Sequence, residues 1–401
     1  MFWETPLDNA ISKLKKNVSA PVRLVLWDGR EVSLSERPRV TIRLNGLRAA
    51  SALVRPTLLT LAEAYIEGEV ELEGDVREAI RSAEAITRAI PKPLFQSQGP
   101  TNEHRTRRDD REAIQHHYDV SNEFYALWLD EGMVYSCGYF RHEDDTLDRA
   151  QVQKLDHICT KLRLASGERF LDIGCGWGAL AMHAARKYGV MATGITLSEN
   201  QHRLANESIR AAGLEDRCRV DLLDYRDLPG EGVYDKIASV GMFEHVGLRN
   251  LPVYFNTVRR LLKERGLFLN HGITTSDTRN RAVGLGAGEF IGRSGFPKGE
   301  VPHLHRAIHD MSEQDLEVHD VESLRPHYAK TLGLWSERFE RNIDAAVAAS
   351  SERTARIWRL YLAGCAYAFE QGWVSIYQVL ASRQAKPGQT ALPLTREWMY
   401  R

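Results

Sequence analysis

An apolar run, Phe170-Leu171-Asp172-Ile173, opens into glycines at alternate positions, Gly174, Gly176 and Gly178, and then into the helical stretch Ala179 to Tyr188. A strand that turns into a helix over glycines brings bare backbone against a ligand, where any Cβ would block the approach. The spacing is not that of the dinucleotide fingerprint, and an acid, Asp172, stands two residues ahead of the first glycine. Further along, Glu244 and His245 close the strand-like run IASVGMF, and His271 closes GLFLN. Carboxyl and imidazole groups can move protons or hold an oxyanion; an acid beside a histidine at a strand end is also ordinary for a capped turn. The five cysteines, Cys137, Cys159, Cys175, Cys218 and Cys365, include no CxxC pair. That fits neither a disulfide framework nor a zinc site and predicts a reducing compartment with no metal.

These residues need elements to position them. Beyond Ala113 the runs RFLDIGCGWG, VMATGITLS, RCRVDLLDY, YDKIASVGMF and GLFLNHGIT alternate with helical stretches. The alternation predicts an α/β fold with a mostly parallel, doubly wound sheet, whose ligands lie at the carboxyl ends of the strands. The acid ahead of the glycines follows the pattern of methyltransferases, so the expected cofactor is S-adenosylmethionine and the expected domain is Rossmann-like, of methyltransferase class I. The second run ends Gly194-Ile195-Thr196-Leu197-Ser198, with Gln201 one turn later. A neutral polar set stands there in place of the usual acid that holds the ribose hydroxyls.

Ahead of this, Val22 to Trp27 and Arg39 to Leu44 alternate as short strands before helical patterning begins at Leu58. We expect a small α+β domain over residues 1–90, a proline-broken polar linker over 91–112 and the methyltransferase domain over 113–401. Trp3, Leu7, Ile11 and Leu14 recur at helical spacing beside Lys13, Lys15 and Lys16, which reads as a helix docked on its own domain or as an interfacial one. The linker cluster Arg105, Arg107, Arg108 and Arg111, diluted by Asp109 and Asp110, reads as a solvated run or a meeting point for anionic headgroups.

Lys plus Arg total 53 against 54 Asp plus Glu over 401 residues. This balance gives no field that would gather nucleic acid, so no such partner is expected. The opening MFWETPLDNAISKLKK lacks the uninterrupted apolar core of a secretory signal, and no apolar run of about eighteen residues follows. The expected location is the cytoplasm, with peripheral contact at the inner membrane face.

The segments YDVSNEFYALWLDEGMVYSCGYF, FLDIGCGWGALA, GITLSENQ, SVGMFEHVG and RPHYAKTLGLWSERF, in this order, resemble the cyclopropane fatty acid synthase family over roughly residues 113 to 385. The N-terminal part is similar to the lipid-carrier-like extension of its longer bacterial members. The resemblance implies transfer of a methylene group from S-adenosylmethionine to a cis double bond of a phospholipid-bound unsaturated acyl chain at a membrane surface, by a homodimer. It places Tyr135, Ser136, Gly174, Gly176, Thr196, Leu197, Gln201, Tyr225 and Arg226 on the cofactor, with Asp172 joining them from the glycine turn. Tyr225-Arg226 departs from the Trp-Glu type pair usual in the family.

An unactivated alkene is a feeble nucleophile, so such chemistry needs a water-free slot, an aligned methyl group and a base near the cation. The resemblance assigns the base to bicarbonate held by Cys137, Glu244, His271, the backbone at Ile273, and Tyr328. Cys137 also fits a small buried apolar role. Cys365, in YLAGCAYAFEQG, stands at a position proposed as catalytic in the family and reads equally as core packing. The wall between His271 and Tyr328 departs most from the family through Gly284, Gly286, Gly288, Gly292 and Gly295, and Gly138 replaces a more usual alanine. Methylation without ring closure is therefore the alternative. Methylation of a small amine and a non-catalytic lipid-binding role are further readings.

Overall fold

The computed structural model describes residues 4–46, 57–89, 120–278, 300–384 and 392–400, together with Ala49, Ala52 and Val54. Trp3, the linker 91–112 with its arginine cluster, and the glycine-rich stretch Gly284 to Gly295 lie outside the described residues.

The N-terminal part comprises α1 (Glu4–Asn17), β1 (Val22–Val25), β2 (Glu31–Ser33), β3 (Val40–Leu44), α2 (Leu58–Ile66), β4 (Val70–Gly74) and α3 (Val76–Ala89). Its strands form one sheet in the order β2-β1-β3-β4, with only β1 and β3 parallel. Leu7, Ile11 and Leu14 of α1 are buried against Val22, Leu24, Val40 and Leu44, while Lys13, Lys15 and Lys16 face solvent. The apolar stripe of α1 is thus docked on its own sheet.

The rest begins with α4 (Asn122–Ala126) and α5 (Leu147–Lys161). It continues through β5 (Arg169–Ile173), α6 (Ala179–His183, prolonged by a π turn to Tyr188), β6 (Met191–Thr196), α7 (Glu199–Ala211), β7 (Cys218–Leu222), β8 (Tyr234–Val240), α8 (Leu251–Leu261) and β9 (Leu262–Thr275). The last elements are α9 (Leu304–Ser312), β10 (Leu316–Ser323), α10 (Arg325–Arg341), α11 (Ile343–Ala349), α12 (Glu352–Glu370) and β11 (Val374–Arg383). The seven-stranded sheet has the order β10-β11-β9-β8-β5-β6-β7. The runs read as strands in the sequence are β5 to β9, all parallel, and β11 adds antiparallel to β9 and β10.

Burial on both faces explains why these strands are nearly continuous apolar runs. Phe170 points into one core with Ile158, Leu180, Ala205 and Val220, whereas its neighbour Leu171 points into the other with Ile195, Phe255 and Phe268. A further aromatic core, with Phe124, Trp128, Trp335, Phe339 and Trp358, gathers α4, α10 and α12 around Cys137, Tyr328 and Trp177. The outward face of α12 meets the N-terminal part: Arg356 Nη2 to Glu71 at 2.6 Å, Arg359 Nη1 to Tyr65 Oη at 3.0 Å, Glu370 to Arg77 at 2.5 Å and to Arg81 at 3.0 Å, and Tyr367 donating to Glu84. No helix among the described residues is long and apolar enough to cross a membrane.

Candidate active site

β5 ends on Asp172-Ile173 and the chain turns through three left-handed glycines, Gly174 (φ 78°), Gly176 (φ 55°) and Gly178 (φ 84°), before α6. At Gly174 a Cβ would meet Met242 Cγ at 2.7 Å; at Gly176 there is open space, so the positive φ alone selects glycine. The turn opens on a cavity at the carboxyl ends of β5 and β6. Tyr135, Ser136, Asp172, Gly174, Gly176, Thr196, Leu197, Gln201, Tyr225 and Arg226 all line this one cavity. The sequence reading therefore brought a single set of neighbours together.

Within it, Thr196 Oγ1 donates to Gln201 Oε1 at 2.7 Å and accepts from Ser198 N at 3.2 Å, so the neutral set at the end of β6 is locked by its own hydrogen bonds. Arg226 is gripped by Asp224, Nε at 2.8 Å and Nη2 at 2.6 Å, and its guanidinium lies 5.3 Å from the Tyr225 ring. The departure to Tyr-Arg is accordingly a charge-balanced one. Asp172 is buried, its Oδ1 has no partner, and burial pushes its carboxyl up to about 7 against the pull of Lys154. The sequence reading missed Lys154 of α5, whose Nζ donates to Ser136 Oγ at 2.8 Å on the same wall. Its only sequence signal is a lysine on the apolar face of an amphipathic helix.

Deeper in, the short turn after β8 presents Glu244, 1% exposed, whose Oε1 accepts from Ile273 N at 2.6 Å while Oε2 has no partner. Burial pushes its carboxyl up to about 7, and the Ile273 bond only partly offsets this. On β9, two residues before Ile273 and on the same face, His271 is equally buried, and burial drives its pKa well below the ordinary range. Gln378, opposite it on β11, donates from Nε2 to His271 Nδ1 at 3.2 Å. The imidazole is therefore neutral with its proton on Nε2, which has no partner. Gln378 is a second residue the sequence reading did not find.

Cys137, Ile273 and Tyr328 share the aromatic core beside this pair. Cys137 is fully buried, with its thiol pushed far up by burial and directed at carbonyl oxygens of Gly138 and Leu324. The Ile273 N–H is taken by Glu244, so it positions the acid. Cys365, half-buried on α12, has its thiol pushed up to about 12 by burial despite a hydrogen bond with Tyr361. Burial therefore opposes its thiolate form. His245, also read with Glu244, lines the cofactor cavity instead.

Tyr135 packs in an aromatic cluster, its ring centroid 5.3 Å from Trp128, 5.4 Å from Trp335 and 5.7 Å from Tyr125, and of these four rings it is the one that lines the cavity. The donor set and the glycine cradle thus fit a nucleoside bearing a cationic sulfonium and an amino-acid tail.

A doubly wound sheet with this glycine turn and this cavity defines a Rossmann-like class I methyltransferase that uses S-adenosylmethionine. The family model for mycolic acid cyclopropane synthetase matches residues 105–379, and the chain belongs to that family. A domain family of unknown function matches residues 11–90. A probable fatty acid methyltransferase of Pseudomonas putida is 50% identical over 386 residues, covering 96% of this chain and 98% of that one. The cyclopropane-fatty-acyl-phospholipid synthase of Escherichia coli K12 is 40% identical over 272 residues, 68% of each chain. Among solved structures, mycolic acid cyclopropane synthase CmaA1 complexed with SAH and CTAB superposes with a TM-score of 0.65 at 35% identity, covering 68% of this chain and 98% of that one.

Proposed function

We propose that the protein adds the methyl carbon of S-adenosylmethionine to a cis double bond of a phospholipid-bound unsaturated acyl chain and closes a cyclopropane ring, with bicarbonate as the base. The carrying observation is the pair of orphaned polar atoms, Glu244 Oε2 in the turn after β8 and His271 Nε2 on the neighbouring strand β9, both buried, with Glu244 bonded to Ile273 two residues beyond that histidine. Buried polar atoms without partners are rare and call for a ligand. A small oxyanion with an acid proton suits a neutral imidazole donor next to a carboxyl that titrates near 7.

Bound S-adenosylmethionine supplies an electrophilic methyl carbon. The alkene's π electrons would form the new carbon–carbon bond as the sulfur kept the carbon–sulfur pair, which would leave a carbocation on the acyl chain. Glu244 and His271 would hold bicarbonate, which would supply the base for a proton of the added methyl group; loss of that proton would leave the C–H electron pair to close the ring.

The 50% identical relative is named a fatty acid methyltransferase, which favours a second reading in which the proton leaves a ring-external carbon and no cyclopropane forms. In both readings the chain acts as a cytoplasmic homodimer at the inner membrane face, with a lipid-carrier-like unit at 1–90, a linker at 91–112 and the methyltransferase unit at 113–401. The test is incubation with vesicles of defined unsaturated phospholipids, followed by mass spectrometry and NMR of the acyl products. A cyclopropane methylene signal whose yield falls on bicarbonate depletion is expected. Methyl-branched products alone would select the second reading, and turnover indifferent to bicarbonate would remove it from the mechanism.

A further inference from the structure

α5 packs Leu155, Ile158 and Cys159 into the core, and one position before Leu155 it buries a lysine. Lys154 is 2% exposed. A buried ammonium is retained only where partners replace its lost water. Among the described residues its Nζ has a single hydrogen bond, to the neutral Ser136 Oγ at 2.8 Å, and no carboxylate oxygen within 4.0 Å. Asp130 and Asp172 act on it only through space, and the Asp130 oxygens already accept from Val134 N and Gly132 N, both at 2.9 Å. An ammonium carries three donors, so Lys154 is under-used inside the protein.

It faces the cofactor cavity, as do Ser136 and Asp172. One turn earlier on the same helix, Gln151 donates from Nε2 to the Ser136 carbonyl at 2.9 Å, fixing the segment that carries Ser136 to α5. The wall therefore presents a rigid pair of donors, an ammonium and a hydroxyl, near an acid whose Oδ1 has no partner. The methionine tail of S-adenosylmethionine is a zwitterion with the complementary pattern, a carboxylate and an ammonium. We infer that Lys154 is a cofactor-binding residue whose ammonium, together with Ser136, is the counter-charge for the α-carboxylate of S-adenosylmethionine. The inference rests on cofactor use alone and is independent of the fate of the acyl chain.

A competing occupant exists, because Lys154 also acts through space on His271, so a small oxyanion beside that histidine would feel it too. Calorimetry separates the two. S-Adenosylhomocysteine and its decarboxylated analogue, which keeps the amine and lacks the carboxylate, are titrated into the wild-type chain and into Lys154→Met. The wild type is expected to prefer the carboxylated ligand by about 30-fold or more. Lys154→Met should bind that ligand about 30-fold more weakly and the analogue within about threefold, so that the preference collapses. Should Lys154→Met lose its fold by circular dichroism, Lys154→Gln makes the same prediction. Equal weakening of both ligands would make Lys154 structural. Unchanged ligand binding with a raised bicarbonate requirement would assign it to the oxyanion. Either result overturns the inference.

Discussion

At the scale of single residues the site separates groups that seat the cofactor from groups that act after it is seated. On the proposed mechanism Glu244 and His271 belong to the second kind. Glu244→Gln and His271→Ala should each lower kcat about 100-fold or more while the Kd for S-adenosylhomocysteine stays within about threefold. Single-turnover assays beside calorimetry check this; parallel loss of both quantities would contradict it. Glu244 also leaves a mark on stability. Its folded pKa is raised from 4.5 to about 7, so its contribution is fully present below pH 4.5 and is lost as pH rises through about 7. Relative to Glu244→Gln, the wild type should lose about 3 kcal/mol of unfolding free energy across that window, read from urea titrations at each end.

The lining of the cavity was legible in the sequence because a glycine turn and a strand-end polar residue are dictated by backbone geometry, which a local motif records. Lys154 and Gln378 were not. One sits on the apolar face of a helix and the other across a ladder from its partner, and neither position is distinguished by its neighbours in sequence.

Among the elements, α5 is the one that holds the site's upper loop in place. Lys161, fully buried at its end, binds Asp320 at 3.1 Å and Glu322 at 2.6 Å on β10, and His157 meets Glu322 at 2.7 Å. Tyr139 stacks between His157 at 4.2 Å and His327 at 4.9 Å, linking the loop of Cys137 to the helix of Tyr328. Burial opposes ionisation of Glu322, yet His157 and Lys161 outweigh it and hold the carboxyl down to about 2. This stability is present above pH 4.5 and is lost as pH falls towards 2. Lys161→Met should leave Asp320 with Arg396 and Glu322 with His157 as their remaining partners and destabilise the fold by about 3–5 kcal/mol in urea unfolding at neutral pH. An effect below about 1 kcal/mol would show the cluster to be hydrated. β10 and β11 escaped the sequence reading because LEVHDVES carries charges on an edge strand and VSIYQVLASR follows a long helix from which only Gln371-Gly372-Trp373 separates it. The parallel strands, buried on both faces, announced themselves.

At the scale of the molecule, α12 is shared. Its inner face carries Trp358 of the aromatic core and Cys365, and its outer face carries Arg356, Arg359, Tyr367 and Glu370 to the N-terminal part. Arg359 also binds Glu340 of α10 at 2.7 Å. The double variant Arg356→Ala, Arg359→Ala should split one calorimetric unfolding transition into two, the N-terminal part melting first. A single transition shifted as a whole would mean that the aromatic packing, and not these ion pairs, couples the two parts.

The two-faced character of α12 bears on how relatives of this protein are recognised. A chain with the methyltransferase sheet but no N-terminal sheet would leave two arginines on this helix with only Glu352 and Glu340 as partners, having lost Glu71 and Tyr65. The outer residues of one helix, close to the carboxyl terminus, therefore form a sequence label for an architecture laid down three hundred residues earlier, and a fragment preserving only that helix would still disclose which kind of enzyme it came from.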